Sequence, residues 1–438
     1  MDHAATTPID ERVQKTMQET APFFGNPSSI HGFGQDARNI IDKSRKVLAD
    51  FLGAKPSEII FTSGGSESDN LAIKGVVNAF YRVNGEWRMA NNKKPHVITT
   101  EFEHHAVLNT VKELEQQGIV EASYVKPNSD GIIEAESVIH EIRENTVLVS
   151  VMYVNNEIGT VQPIREIGKA IEEINKERIR NNELGITNKT LTSEFEIRNS
   201  KQNLPKILFH TDAVQAAEYF FMNVDYLKVD LLTMTAHKIY GPKGTGLLYA
   251  RTGTKLASQI TGGEQEFRKR AGTENTIGIA AFAKAVELIA LEQQGAVRDE
   301  QIKSLVSSPE AIRLIELRDY LIKNILSKIT ESELNGDAIL RSPANANISF
   351  LNAEGESILL NLDMLGIAAS SGSACTSGAL EPSHVLLSIG KPHEKAHGSV
   401  RFTLGHETTK EDLDHVLKVL PGIIEKLRAM APKKGVRE

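Results

Sequence analysis

Several side chains in this sequence stand where they could do chemistry together. Lys238 lies in TAHKIYGPKGTG, between the apolar run Val229–Met234 and a Gly/Pro-rich turn. A lone lysine is ordinarily a solvated surface charge. A lysine desolvated in a pocket instead has a freed amine, able to bond a carbonyl carbon. Asp212 follows KILFH, where a carboxylate can face a cationic ring nitrogen or simply cap a helix. His104, in FEHHAV, also ends a strand-like run, where an imidazole can stack on a flat ring. Gly65 and Ser66 sit in a Gly/Ser turn between a strand and a helix, a geometry that aims backbone N–H groups at an anion. That turn lacks the lysine and spacing of the nucleoside-triphosphate loop and is not GxGxxG, and a serine-capped helix would look similar. The only cysteine, Cys375, lies in SSGSACTSGALEP, a polar, small-residue stretch that reads as an exposed loop.

An amine, an anion cup, a carboxylate and a ring stacker are what pyridoxal phosphate requires of a protein. If all four stand at the ends of strands in one open sheet, they converge where such sheets bind ligands. The elements needed for this can be read from periodicity. Short apolar runs predict strands over Glu58–Phe61, His96–Thr100, Thr146–Val154, Lys206–His210 and Val229–Met234. Helical spacing predicts helices over Glu11–Thr20, Gln35–Leu52, Asn70–Val77 and Ile164–Ile174, with a small-residue helix after Asp212. Three further helices are expected over Thr276–Gln294, Ala311–Ile329 and Lys410–Ala429. The polar stretches 81–95, 175–205 and 290–309 read as surface excursions or insertions. Beyond about residue 290 the pattern changes, which predicts a smaller α+β domain.

Composition narrows the classes. A chain of 438 residues with 40% hydrophobic and 24% charged residues is long enough for two globular domains. Its net charge of -7, with signs interspersed, argues against nucleic acid as the main ligand. One cysteine excludes an intramolecular disulfide and a cysteine-cluster metal site. No apolar run is long enough to span a bilayer, and MDHAATTPID has no signal-peptide pattern, so the cytoplasm is the expected compartment.

The ordered stretches DHAATTP, FGNPSSIHGFG, FTSGGSESDNLAIKG, VNNEIGTVQPI, HTDAVQ, TAHKIYGPKGTG, GGEQEFRKRAGTEN and SSGSACTSGALEPSHVL resemble the cysteine desulfurases of the NifS/IscS type, group I, within the class V aminotransferases. That resemblance implies an α/β fold of the type I pyridoxal-phosphate enzymes. A large domain over 14–289 would hold a mostly parallel seven-stranded sheet, with a small domain from 1–13 and 290–438. It implies Lys238 as the Schiff-base lysine and His104 as ring stacker and proton carrier. Asp212 would face the pyridinium nitrogen and Gln215 the ring hydroxyl, with Asn156 also at the cofactor. Gly65, Ser66, Thr235 and His237 would hold the phosphate, with Thr273 reaching in from the other subunit of a homodimer. Asn156 and Arg401, with Asn26 nearby, would bind the substrate carboxylate. L-cysteine would be the substrate, Cys375 would take its sulfur as a persulfide, and an iron–sulfur scaffold or tRNA-thiolation carrier would accept it. No resident metal, membrane or direct nucleic-acid partner is implied, although Cys375 could transiently ligate a shared iron–sulfur cluster. The alternatives are another class V activity, such as a transaminase or selenocysteine lyase, and an idle scaffold.

Overall fold

The computed structural model describes residues 1–83, 93–184, 204–371 and 382–430. Seven strands form the larger sheet: β1 (Ile59–Thr62), β2 (His96–Thr100), β3 (Glu121–Val125), β4 (Thr146–Ser150), β5 (Leu208–Asp212), β6 (Leu231–Thr235) and β7 (Gly246–Ala250). Their order is β1-β7-β6-β5-β4-β2-β3. From β6 to β3 all pairs are parallel, and β7 alone runs against both of its neighbours. Every residue of β2, β4 and β6 is buried, which is why these strands appear in the sequence as continuous apolar or β-branched runs rather than as alternation. Helices Gly65–Val83 and His105–Gln116 cover one face with Leu71, Val76, Val107 and Val111. The other face packs against the larger core cluster, which includes Ile41 and Leu48 of helix Gly32–Leu52 and Phe282 of helix Thr276–Glu292.

The second sheet is antiparallel, in the order β10-β9-β8, from β8 (Ser332–Leu334), β9 (Asn345–Phe350) and β10 (Ser399–Thr403). The N-terminal segment joins its edge: Asp2 bridges Thr403, and Thr403 donates its N–H to Met1 O at 2.9 Å. Among the described residues no helix is long and apolar enough to cross a membrane.

Five local expectations need correction. The predicted helix Ile164–Ile174 runs on to Leu184, so the supposed insertion begins later than residue 175. Asn175 and Arg178 are buried there because they pair with backbone. Asn175 Nδ2 donates to Ile207 O at 2.8 Å, and Arg178 Nη1 donates to Pro205 O at 2.7 Å. Residues 185–203 lie outside the described set, as do 84–92 of the other excursion. The stretch 290–309 is not a free excursion, since Leu305 bridges Phe220, Val306 bridges Arg298, and Leu305 is 1% exposed. After Asp212 the chain makes turns instead of a helix, as Val214 N–H is drawn back to Asp212 Oδ1 at 2.9 Å. The strand predicted over Thr146–Val154 ends at Ser150, and helix formation begins at Gly65, within the Gly/Ser turn itself.

Candidate active site

Strand β6 ends at Thr235, and Ala236–Lys238 form a single tight helical turn. Gly241 closes it by donating to Ala236 O at 2.9 Å; a Cβ at Gly241 would stand 2.8 Å from Ala236 Cβ, so the sharp reversal needs glycine. The N-terminal motif lies against this turn. Lys238 Nζ donates to Ala5 O at 2.8 Å and also to Ala4 O, while Thr7 N–H donates to His237 O at 3.0 Å. His237 Nδ1 pairs with the Thr6 hydroxyl at 3.2 Å. The small side chains of DHAATTP therefore let backbone carbonyls reach the ammonium, a role that carries no side-chain signature in the sequence.

One cavity of about 380 Å³ gathers Lys238, Asp212, His104, Gly65, Ser66 and Arg401 at its wall, together with Asn156, Gln215, Thr235 and His237. Asp212 ends β5, the parallel neighbour of β6, and the turn that follows β6 carries Lys238, so the carboxylate and the amine leave the sheet at the same edge. Burial pushes the Asp212 carboxyl up to about 6, opposed by the Val214 N–H and the Lys238 charge. His104 caps helix His105–Gln116, its Nδ1 accepting Ala106 N–H at 3.1 Å, which leaves the proton on Nε2. Burial first, and Lys238 second, hold His104 down at about 4, so it is a neutral imidazole at physiological pH. Arg401 projects from β10 and is 3% exposed. Its Nη1 donates to Asn156 O at 2.7 Å and its Nη2 to Asp2 Oδ1 at 3.0 Å, while buried Nε has no hydrogen-bond partner among the described residues.

Asn26 and Thr273 are not at this wall. Asn26 is exposed and its Oδ1 accepts Ser28 N–H at 2.9 Å; Thr273 is exposed on the turn before helix Thr276–Glu292. Cys375 falls in 372–381, outside the described residues. The sequence reading missed Asp69, His105, Glu157 and His384, which also line the cavity. Glu157 is buried, accepts the Ser383 hydroxyl, and is pushed up to about 7 by burial. Its position beside Asn156 in VNNEIG was the available signal. His384 was legible only as a polar residue after a loop, yet its Nε2 meets Glu103 O at 3.0 Å and its ring lies 4.6 Å from that of His105.

The donor set fits pyridoxal phosphate. Helix Gly65–Val83 begins at the cavity wall, where Gly65 and Ser66 stand with His237, and the first N–H groups of a helix have no intrahelical acceptor, as a phosphate needs. Buried Asn156 Oδ1 and Asp69 Oδ1 have no hydrogen-bond partner among the described residues, so the site has polar capacity in hand for a ligand.

The aminotransferase class-V family pattern matches residues 1–177 and 179–416. A relative described as cysteine desulfurase IscS, from Dictyoglomus turgidum, is 45% identical over 438 residues, covering 99% of this chain and 96% of its own. Another of that description, from Methanosarcina thermophila, is 43% identical, covering 99% and 93%. A solved NifS-like protein superposes with a TM-score of 0.79 at 30% identity, covering 97% of this chain and 98% of its own. A structure described as SspA in complex with cysteine gives 0.70 at 32%, covering 92% and 97%.

Proposed function

Because the chain belongs to the aminotransferase class-V family, we infer that it is a pyridoxal-phosphate-dependent cysteine desulfurase, converting L-cysteine to L-alanine. The observation that carries this reading is the convergence of Lys238, Asp212, His104 and Arg401 on one cavity from four different elements. Pyridoxal phosphate, when bound, supplies a carbonyl for amines and a ring that withdraws electrons. Lys238 would anchor it, Asp212 would face its ring nitrogen and Gln215 its ring hydroxyl. Gly65, Ser66, Thr235 and His237 would hold its phosphate, helped by Thr273 of a second copy.

The protein's own groups account for the rest. Arg401 and Asn156 orient the substrate by its carboxylate, and Asn26 does so only if a second copy or a loop movement brings it there. His104, neutral and protonated on Nε2, can accept a proton on neither nitrogen without losing its cap to Ala106, so its stacking role is the better supported one. Cys375 supplies the nucleophile. Its thiolate attacks the sulfur of the substrate, the carbon–sulfur bond breaks, and one proton returns to carbon. The balance is L-cysteine plus thiol giving L-alanine plus persulfide, with no outside oxidant. An iron–sulfur scaffold or tRNA-thiolation carrier in the cytoplasm would then take the sulfur. We assign residues 14–289 to the cofactor domain and residues 1–13 with 290–438 to the smaller one.

Purified protein should convert L-cysteine to alanine and, with a reductant, sulfide. Cys375→Ser should abolish turnover while keeping the cofactor's visible band. Borohydride trapping followed by peptide mapping should place the cofactor on Lys238. A label on any other residue, or full activity in Cys375→Ser, would overturn the assignment.

A further inference from the structure

Asp69 stands in helix Gly65–Val83, is 1% exposed, lines the cavity and presents an Oδ1 that no hydrogen bond satisfies among the described residues. One side-chain atom each of Asp69, His104 and Asp212 lie within 4.8 Å of one another. Two carboxylate anions that close, away from water, repel strongly, and the usual resolution is that one of them keeps a proton. Extending the cofactor assignment above, we propose that Asp69 and Asp212 form a dyad whose single proton resides on Asp69, leaving Asp212 as the anion opposite a cationic ring nitrogen.

The surroundings break the tie between the two. Asp212 receives the Val214 N–H at 2.9 Å and feels the charge of Lys238. Asp69 has the Thr233 hydroxyl, and faces Asp212 and the buried carboxyl of Glu103. His210 Nε2 lies 3.7 Å from Asp69 Oδ1 but is no counter-ion. Burial pushes it down to about 3, and its two nitrogens meet Ser150 Oγ at 2.8 Å and Thr233 Oγ1 at 3.1 Å. Glu103, from the turn after β2, is itself pushed up to about 8, and His104 is neutral, so neither supplies a positive charge. Burial, then the Asp212 charge, accordingly hold Asp69 well above the ordinary carboxyl range. The dyad makes Asp69 a positioning residue, acting on the cofactor through the charge state of Asp212.

Cofactor-free protein tests this directly. A carboxyl whose proton is held more tightly in the folded chain favours folding at low pH, and that advantage is lost as pH rises toward its folded value. The wild type should therefore lose thermal stability between pH 5 and pH 9 more steeply than Asp69→Asn, whose amide cannot ionise. The gap in Tm should widen to roughly 2 °C or more at the alkaline end. Asp69→Ala should show the same flattening even if its Tm is lower throughout, because the slope rather than the absolute value is diagnostic. Parallel profiles for wild type and both variants would overturn the dyad, as would flattening by Asp212→Asn alone. If wild type forms no visible band on adding pyridoxal phosphate, the cofactor assignment fails, while the unfolding slopes still decide where the proton lies.

Discussion

Arg401 is held in place before any substrate arrives. Asp2 pairs with its Nη2 at 3.0 Å, and Asp2 is itself fixed by the Ser370 hydroxyl at 2.8 Å. Ser370 and Arg401 also exchange backbone bonds, Arg401 N–H donating to Ser370 O at 2.7 Å. A pre-set guanidinium loses little freedom on gripping a carboxylate, so its removal should fall on substrate binding. Arg401→Gln should raise the KM for L-cysteine about 10- to 100-fold, the worth of a hydrogen bond to a charged group, with a smaller change in kcat. Steady-state kinetics check this, and an unchanged KM would remove Arg401 from the carboxylate site. At this scale the sequence was most informative where a reactive side chain met an abrupt change of local pattern. Lys238, Asp212 and His104 all follow an apolar run and all reach the cavity. Ala4 and Ala5 escaped notice because they act through carbonyl oxygens, which every residue has. Asp69 escaped because a helix residue three places past the Gly/Ser turn looks like ordinary helix polarity until β5 is seen beneath it.

At the scale of elements, the turn before Thr273 is the one most at odds with its own residues. Glu266, Phe267 and Arg268 have φ of 46°, 57° and 62°, a left-handed conformation that costs roughly 1–2 kcal/mol per residue with a Cβ. What holds it is buried: Arg45, from helix Gly32–Leu52, grips Glu266 through two bonds at 2.7 and 2.8 Å. Phe61 N–H donates to the same carboxylate at 2.8 Å. With the Arg45 and Glu266 side chains 5% and 2% exposed, breaking the pair strands a buried charge. Glu266→Gln should destabilise the chain by about 3–5 kcal/mol in denaturant unfolding. Glu266→Leu combined with Arg45→Met should recover much of that loss, since no charge is then left unpaired. A loss below about 1 kcal/mol in the single variant would mean that the turn is held by something else. Sequence periodicity could not find this element. GGEQEFRKRAGTEN has no apolar pattern, and its shape is dictated by an arginine more than two hundred residues away. The β2, β4 and β6 strands were legible for the opposite reason, because burial on both faces needs apolar side chains in an unbroken run.

Across the whole molecule, the sheet could be anticipated from its apolar runs, but the part played by the N-terminal segment could not. The first seven residues touch the smaller sheet at Thr403 and the turn after β6 at His237 and Lys238, contacts that span 399 residues in the first case and 234 in the contact of Ala4 with Lys238. The same scale governs the last assignment. Thr273 is exposed and absent from the cavity wall of its own chain, so a phosphate contact from Thr273 requires a second copy. Phe267 and Ile260, on the same stretch of chain, are 51% and 44% exposed, apolar surface that a symmetric dimer would cover. Thr273→Ala should weaken pyridoxal phosphate binding roughly tenfold, as one lost bond to a charged group predicts. The decisive measurement mixes chains. Lys238→Ala protein has no anchor of its own but carries an intact Thr273, whereas Thr273→Ala protein has the anchor and lacks the hydroxyl. After subunit exchange, half of the cavities in hybrid dimers combine Lys238 of one chain with Thr273 of the other. At limiting cofactor, desulfurase activity should then rise above the sum of the two unmixed variants. If Thr273 acts within its own chain, or not at all, exchange brings no gain, because every cavity containing Lys238 would still have alanine at position 273.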